Sequence, residues 1–104
     1  MNFNLSHIKM CKSRNGYAMS AKFYINGIAV ADFIDKGDGG LPSFYVYSNS
    51  EAKELFNTWE DALETLPEYY CSEYDMNLSI DKGMFIDLLH AAIVNKEDFK
   101  LLAA

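Results

Sequence analysis

Two Asn-Gly pairs near the start of the chain constrain its fold more than any other feature of the sequence. They are Asn15-Gly16 and Asn26-Gly27. Asn and Gly tolerate the positive φ angles of two-residue type I′ turns, so each pair predicts a tight β-hairpin. The chain is therefore predicted to begin as an antiparallel β-meander. The residue pairs expected to flank the two turns are Arg14 with Tyr17 and Ile25 with Ile28.

The alternation of apolar and polar side chains agrees with these turns. The predicted register places Ile8 opposite Phe23 and Met10 opposite Ala21, so that one face of the sheet is apolar. Asp32 also falls on that face, and a buried carboxylate needs a partner, a β-bulge or an edge position. The apolar face is predicted to carry Ile8, Met10, Met19, Ala21, Phe23, Ile25, Ile28, Val30 and Ile34, and the other face Lys9, Ser20, Lys22 and Tyr24.

Helical periodicity takes over in the second half of the chain. Ser48 and Glu51 fit a capping box, with Ser50 as an alternative cap, and apolar residues then recur at steps of three and four with Trp59 at their centre. Pro67 ends this helix. The predicted strands span 5–12, 17–25, 28–34 and 43–47, and the predicted helices span 49–65 and 80–94, with a short final helix after residue 95.

Strands followed by helices indicate an α+β fold, a four-stranded antiparallel β-meander followed by two or three helices packed on one face. With 104 residues, half of them hydrophobic, the chain is long enough for one core. We expect a single α+β domain over residues 1–104, with the β-meander in 1–48 and the helical part in 49–104.

The charge of the chain is concentrated in one region. Between Glu51 and Asp75 lie eight acidic residues and one basic residue, Lys53, whereas the rest of the chain is nearly balanced. Such a region suits a basic protein partner, and tyrosines offer it a large contact area. The alternative is a solvated helix face that maintains solubility. The candidate partner-binding residues are Glu54, Glu60, Asp61, Glu64, Glu68, Tyr69, Tyr70, Glu73 and Tyr74.

Several other classes of function lack a signal. Tyr69, Tyr70 and Tyr74 stand among carboxylates, so they do not predict direct contact with nucleic acid, which needs Lys and Arg. Cys11 and Cys71 have neither zinc-site spacing nor nearby His ligands in sequence. Without an apolar run of about 18 residues or a leader-like start, we expect a cytoplasmic protein that does not engage a membrane. No metal or cofactor is expected.

Two motifs are compatible with small-molecule chemistry. The segment Asp35-Lys36-Gly37-Asp38-Gly39-Gly40 could offer backbone amides to a phosphate, although its spacing matches neither a P-loop nor an EF-hand. A plain β-connection is the simpler interpretation. Asp87 stands one helical turn before His90 and could orient its imidazole, but this spacing is also common on helix surfaces. The sequence therefore predicts a protein that is not an enzyme.

A series of short motifs runs through the chain in a fixed order: the strand 17–24, Asn26-Gly27, Gly37-Asp38-Gly39-Gly40, Phe44-Tyr45, Leu66-Pro67 and Lys96-Glu97-Asp98. In this order they resemble a family of small uncharacterised phage and prophage proteins. The resemblance implies a mobile-element setting and no functional residues. Small acidic phage proteins without catalytic motifs often occupy the surface of a host protein, and inhibitors of CRISPR effectors are one such class.

These observations lead to one main hypothesis and two alternatives. The main hypothesis is a non-enzymatic phage or mobile-element protein that binds a basic host protein through an acidic, tyrosine-containing surface and inhibits a nucleic-acid-handling defence complex such as a CRISPR effector. The first alternative is a small-ligand or nucleotide-binding module that uses the loop from Asp35 to Gly40. The second is a structural or regulatory phage protein.

Overall fold

A computed structural model describes residues 1–13, 16–37, 40–72 and 75–102. Its elements confirm the predicted α+β arrangement, since a four-stranded antiparallel sheet, whose strands neighbour each other in chain order, precedes two helices. A short β-hairpin between the helices is absent from the prediction, and the predicted final helix after residue 95 is wrong, since the described residues 96–102 contain only turns and irregular structure. The elements are β1 (Phe3–Ser13), β2 (Gly16–Ile25), β3 (Ile28–Asp35), β4 (Ser43–Val46), α1 (Ser50–Leu63), β5 (Tyr69–Cys71), β6 (Met76–Leu78) and α2 (Lys82–Asn95).

The first hairpin has a different register from the predicted one. Ser13 pairs with Gly16, so Tyr17 faces Lys12 and the predicted partner Arg14 lies outside the described residues. A β-bulge between Ser6 and Lys9 then shifts β1 by one residue, with His7 at a φ angle of 52°. As a result Leu5, and not Ile8, lies opposite Phe23, and Met10 lies opposite Met19 and not Ala21.

A second bulge resolves the position of Asp32. The turn pairs Ile25 with Ile28 as predicted, but the register shifts between Phe23 and Tyr24, where Val30 is the extra residue. Asp32 therefore turns to the solvent-facing side, opposite Lys22. The same shift contradicts the prediction that Ile34 is on the apolar face, because Ile34 now lies opposite Ser20 and is 37% exposed.

Both helices pack on the inner face of the sheet. Trp59 is fully buried, as predicted, with its ring centroid 4.8 Å from Phe23 of β2 and 5.3 Å from Phe85 of α2. The rings of Phe44 and Phe56 lie 5.7 and 5.3 Å from the indole. One aromatic cluster thus joins the sheet to both helices, and it fixes which face of α1 is left for solvent.

The helix caps differ in part from the prediction. Asn49 caps α1, since its side chain accepts a hydrogen bond of 2.8 Å from the backbone N–H of Ala52. The predicted capping box of Ser48 and Glu51 is therefore wrong. Asp81 caps α2 in the same way, and that helix begins at Lys82, two residues later than predicted.

Candidate protein-binding surface

The solvent side of α1 carries a row of carboxylates that we call the acidic helix face, composed of Glu54, Asp61 and Glu64. Glu54 and Asp61 are seven residues apart, which is two helical turns, and Glu64 follows one turn later. All three side chains are exposed and, within the described part of the chain, form no ion pair. The helix buries Ala52, Phe56, Trp59 and Leu63 on its opposite side.

Glu60 stands apart from this row. Its Oε2 lies 2.8 Å from Nζ of Lys82, and this ion pair ties α1 to the start of α2. The same ammonium lies 5.8 Å from the ring centroid of Phe44 and 5.7 Å from that of Phe56. Of the predicted site residues on α1, Glu60 is therefore the one whose charge is already compensated inside the protein.

An open cleft adjoins the acidic helix face between the end of α1 and the start of α2. Its volume is about 610 Å³, and Leu63, Leu66 and Ile80 supply apolar surface. Such a cleft can accept a Lys or Arg side chain, since the aliphatic stem packs on apolar groups while the head group reaches carboxylates. The charged residues around it are Glu60, Asp61, Glu64 and Asp81 against Lys82.

The position of these carboxylates on α1 is electrostatically unfavourable for the isolated protein. The C-terminal end of a helix carries partial negative charge, so basic residues stabilise it and acidic residues destabilise it. The last turn of α1 contains no basic residue, whereas Asp61 lies within it and Glu64 is its C-cap. Residues that break a local stability rule without compensation mark candidate functional sites.

The remaining predicted site residues follow α1 in the chain. Glu68 is exposed directly before β5, and the backbones of Tyr69 and Tyr70 lie in that strand, paired with Leu78 and Asn77 of β6. Glu73 and Tyr74 lie outside the described residues. The structure thus groups Asp61, Glu64 and Glu60 at one cleft, and the two tyrosines occupy a separate hairpin.

The glycine-rich loop has a structural explanation at Gly37. A Cβ atom there would lie 2.6 Å from Oγ of Ser13 and 2.9 Å from the backbone nitrogen of Ala18, so only glycine fits against the first hairpin. Its φ angle of 70° also favours glycine. The carboxylate of Asp35 accepts a 2.9 Å hydrogen bond from the Gly37 N–H. Asp38 and Gly39 lie outside the described residues.

The carboxyl of Asp87 on α2 has a raised pKa. Partial burial raises the pKa of its carboxyl above the ordinary value, Asp35 and Asp81 add to the increase, and His90 opposes it. The charges that act on Asp87 are thus mostly negative. His90 therefore acts on Asp87 only as the opposing influence, and no hydrogen bond joins the two described side chains.

The solvent-facing side of the sheet carries a polar cluster that includes Lys22 and Tyr24, which the alternation predicted on this side, together with Ser6, Asp32 and Tyr47, which it did not. Tyr47 donates a 2.5 Å hydrogen bond to Oδ1 of Asp32, and Nζ of Lys22 lies 5.9 Å from the centroid of the Tyr47 ring. Between β1 and β2, the Oγ of Ser6 donates a hydrogen bond of 2.9 Å to the hydroxyl oxygen of Tyr24. The alternation of polar residues along β2 indicated this side of the sheet. It did not show which residues of the neighbouring strands lie there, because the two bulges change their register.

Comparisons with known protein families, curated proteins and solved structures find no match. Within residues 1–13, 16–37, 40–72 and 75–102, no cluster of three or more His, Cys, Asp or Glu side chains could hold a metal ion. No helix in these ranges combines the length and apolarity needed to cross a membrane.

Proposed function

We propose that this protein is a non-enzymatic binding protein whose acidic helix face and adjoining cleft dock on a basic surface of a host protein. The observation that carries the proposal is the uncompensated charge at the end of α1, where Asp61 and Glu64 oppose the helix dipole. A cationic partner would relieve that unfavourable interaction on binding. The exposed row from Glu54 to Glu64 extends about 15 Å along the helix, at 1.5 Å per residue.

The class of partner is part of the same proposal. The resemblance to phage and prophage proteins favours a bacterial host, and complexes that handle nucleic acid present positively charged channels. A rigid row of carboxylates is complementary to such a channel. We therefore propose an inhibitor of a nucleic-acid-handling defence complex such as a CRISPR effector. Glu68, exposed before β5, extends the proposed contact surface beyond α1, and Tyr69, Tyr70, Glu73 and Tyr74 stay candidate contacts predicted from the sequence.

The test compares two double variants with the same change in net charge. Asp61→Lys with Glu64→Lys alters the proposed contact, whereas Glu97→Lys with Asp98→Lys alters exposed acidic residues beyond the other end of α2. The helix of 14 residues separates the two sites by about 21 Å along its axis. Glu60 is left unchanged, because replacing it would also break its ion pair with Lys82.

The measurement is binding to purified CRISPR effector complexes, together with capture of partners from host lysate. We expect the wild type to bind and to weaken as salt rises, because exposed charge pairs are screened within about 8 Å at physiological ionic strength. The Asp61→Lys, Glu64→Lys variant should associate about tenfold more slowly, since charges at an interface rim act mainly on the on-rate. Equal rates for both double variants, or binding that ignores salt, would reduce the acidic helix face to a solubility feature.

A further inference from the structure

The outer face of the sheet, which points away from α1 and α2, forms a second surface of opposite character. Strand pairing orders its residues in rows that cross all four strands. In the described part of the chain, both helices pack on the inner face and leave this one open. Two of these rows are Ser6, Lys22, Asp32 and Tyr45, and Lys9, Ser20, Ile34 and Ser43.

The grooves of the outer face are lined by three lysines against two aspartates, Asp32 and Asp35, although the whole chain has a net charge of −6. Residues 1–31 contain no Asp or Glu. Two adjoining grooves of about 370 and 380 Å³ share Lys9, Ser20 and Ile34, and small side chains on β2 form their floor. The first groove also carries Lys22, and the second carries Lys36. Among the described residues, none of these three lysines has an ion-pair partner.

The carboxylates beside these lysines already have hydrogen-bond donors. Asp32 accepts the hydroxyl of Tyr47, and Asp35 accepts the backbone N–H of Gly37. These bonds orient the two carboxylates but leave their negative charge in place, so the three lysines give the groove linings a net formal charge of +1. An anionic ligand would meet three ammonium groups, from Lys9, Lys22 and Lys36, along the two adjoining grooves.

Tyrosine rings stand next to the lysines on the same face. Tyr45 lies in the row with Lys22 and is 57% exposed. Tyr47 is oriented by its bond to Asp32, and Lys22 lies above its ring. Tyr45 and Tyr47 line neither groove but lie at the β4 side of the same face, so an extended strand that crosses the sheet would meet both rings and lysines. Single-stranded nucleic acid is bound by this combination, because bases stack on the rings while ammonium groups meet phosphates.

We propose that the outer face of the sheet binds single-stranded nucleic acid, with a base stacked on Tyr45 and phosphates held by Lys9, Lys22 and Lys36. The four strands span about 14 Å, at about 4.8 Å between neighbours, which accommodates a few nucleotides. The acidic helix face lies on the far side of a helix layer about 10 Å thick. That distance exceeds the screening length of about 8 Å at physiological ionic strength.

The experiment measures fluorescence anisotropy of a labelled oligothymidine and a labelled oligouridine, with a DNA duplex for comparison. Three neutralised phosphates predict a salt slope of about −2 for single strands, so affinity should fall roughly 20-fold between about 50 and 200 mM salt. Lys9→Gln with Lys36→Gln should leave one phosphate contact and reduce that fall to roughly threefold. Lys53→Gln with Lys96→Gln, two exposed lysines elsewhere, is the matched control and should keep the wild-type slope.

Tyr45 separates stacking from simple charge attraction. Tyr45→Ala should weaken oligonucleotide binding at least about fivefold, whereas Tyr45→Phe, which keeps the ring, should bind like the wild type. Tyr45 is exposed, so neither variant should change the thermal midpoint of the protein.

Three outcomes would overturn the proposal. The first is no anisotropy change for either oligonucleotide at low salt with the folded wild type. The second is a loss of affinity in the Lys53→Gln, Lys96→Gln control as large as in the Lys9→Gln, Lys36→Gln variant. The third is self-association in sedimentation that the Lys9→Gln, Lys36→Gln variant abolishes, without oligonucleotide binding, because the face would then dock a second copy of the chain.

Discussion

Trp59 is the largest fully buried side chain among the described residues, and it carries an unsatisfied polar atom. Its side chain is fully buried, and its Nε1 has no hydrogen-bond partner among the described residues. A buried donor without an acceptor costs about 1 to 3 kcal/mol of stability. The volume of the indole ring therefore stabilises the core at this position, whereas its N–H group adds no hydrogen bond.

Substitutions at Trp59 should separate these two effects. Trp59→Ala should lower the free energy of unfolding by about 3 to 5 kcal/mol, because it leaves a large cavity. Trp59→Phe should cost about 1 to 2 kcal/mol, since the smaller cavity is partly offset by removal of the unpaired donor. Urea denaturation measures both values, and equal losses for the two variants would contradict this account.

Tyr47 predicts a response to alkaline pH. Burial and the hydrogen bond to Asp32 raise the pKa of Tyr47 from 10.0 to about 12. Because the folded state holds the phenol neutral, its contribution to stability is complete below pH 10 and is lost as pH rises from 10 to about 12. The difference in unfolding free energy between the wild type and Tyr47→Phe should shrink over that range. A difference that stays constant up to pH 12 would contradict the assignment.

Among the elements, α1 depends on a single side chain for its start. Asn49 has an extended backbone with φ −74° and ψ 151°, so its amide can reach back to the Ala52 N–H, while Ser48 lies outside the cap. Ser48, Asn49 and Ser50 are all residue types that cap helices. The sequence pattern favoured Ser48, because Glu51 follows it at the spacing of a capping box. Only the entry angle of the chain from β4 selects among them.

The cap assignment predicts a difference between neighbouring substitutions. Asn49→Ala should lower the free energy of unfolding by about 1 kcal/mol, because the first turn of α1 loses its acceptor. Ser48→Ala should change stability by less than about 0.5 kcal/mol and serves as the control. Thermal denaturation followed by circular dichroism is sufficient, and the reverse order of effects would restore the predicted capping box.

The whole molecule separates its charges across the sheet. Lysines collect on the outer face, and carboxylates collect around the cleft between α1 and α2. Separation of this kind lets one small domain present two chemically different surfaces. It also carries a cost in stability, because like charges at the cleft repel each other and oppose the dipole of α1.

That cost is measurable through its salt dependence. Glu64→Gln should raise the melting temperature at low ionic strength, because it removes a negative charge from the C-terminal end of α1 and from the cleft. The gain, about 0.3 to 1 kcal/mol, should decrease as salt screens the charges. Glu51→Gln, which removes the same charge from the first turn of α1, is the control and should lower the melting temperature instead. A stability gain that does not depend on salt would point to a cause other than charge.

Six of the eight elements in the described residues, the four strands of the sheet and both helices, could be predicted in their order from the sequence, because the signals for them are local. The Asn26-Gly27 turn pairs Ile25 with Ile28 as predicted, and the apolar spacing on α1 correctly buries Trp59. The concentration of acidic residues in 51–75 was likewise visible without a structure. Turn chemistry and periodicity act between residues a few positions apart, so a linear reading captures them.

The register and the two surfaces arose from contacts between residues distant in the chain. Two β-bulges moved Leu5 to the inner face and Asp32 to the outer face, and alternation with a period of two cannot encode an extra residue. The ion pair of Glu60 with Lys82 joins residues 22 positions apart. Such contacts form only when the sheet and helices pack together, because the free energy gained by burying the shared core selects among registers that are similar in local energy.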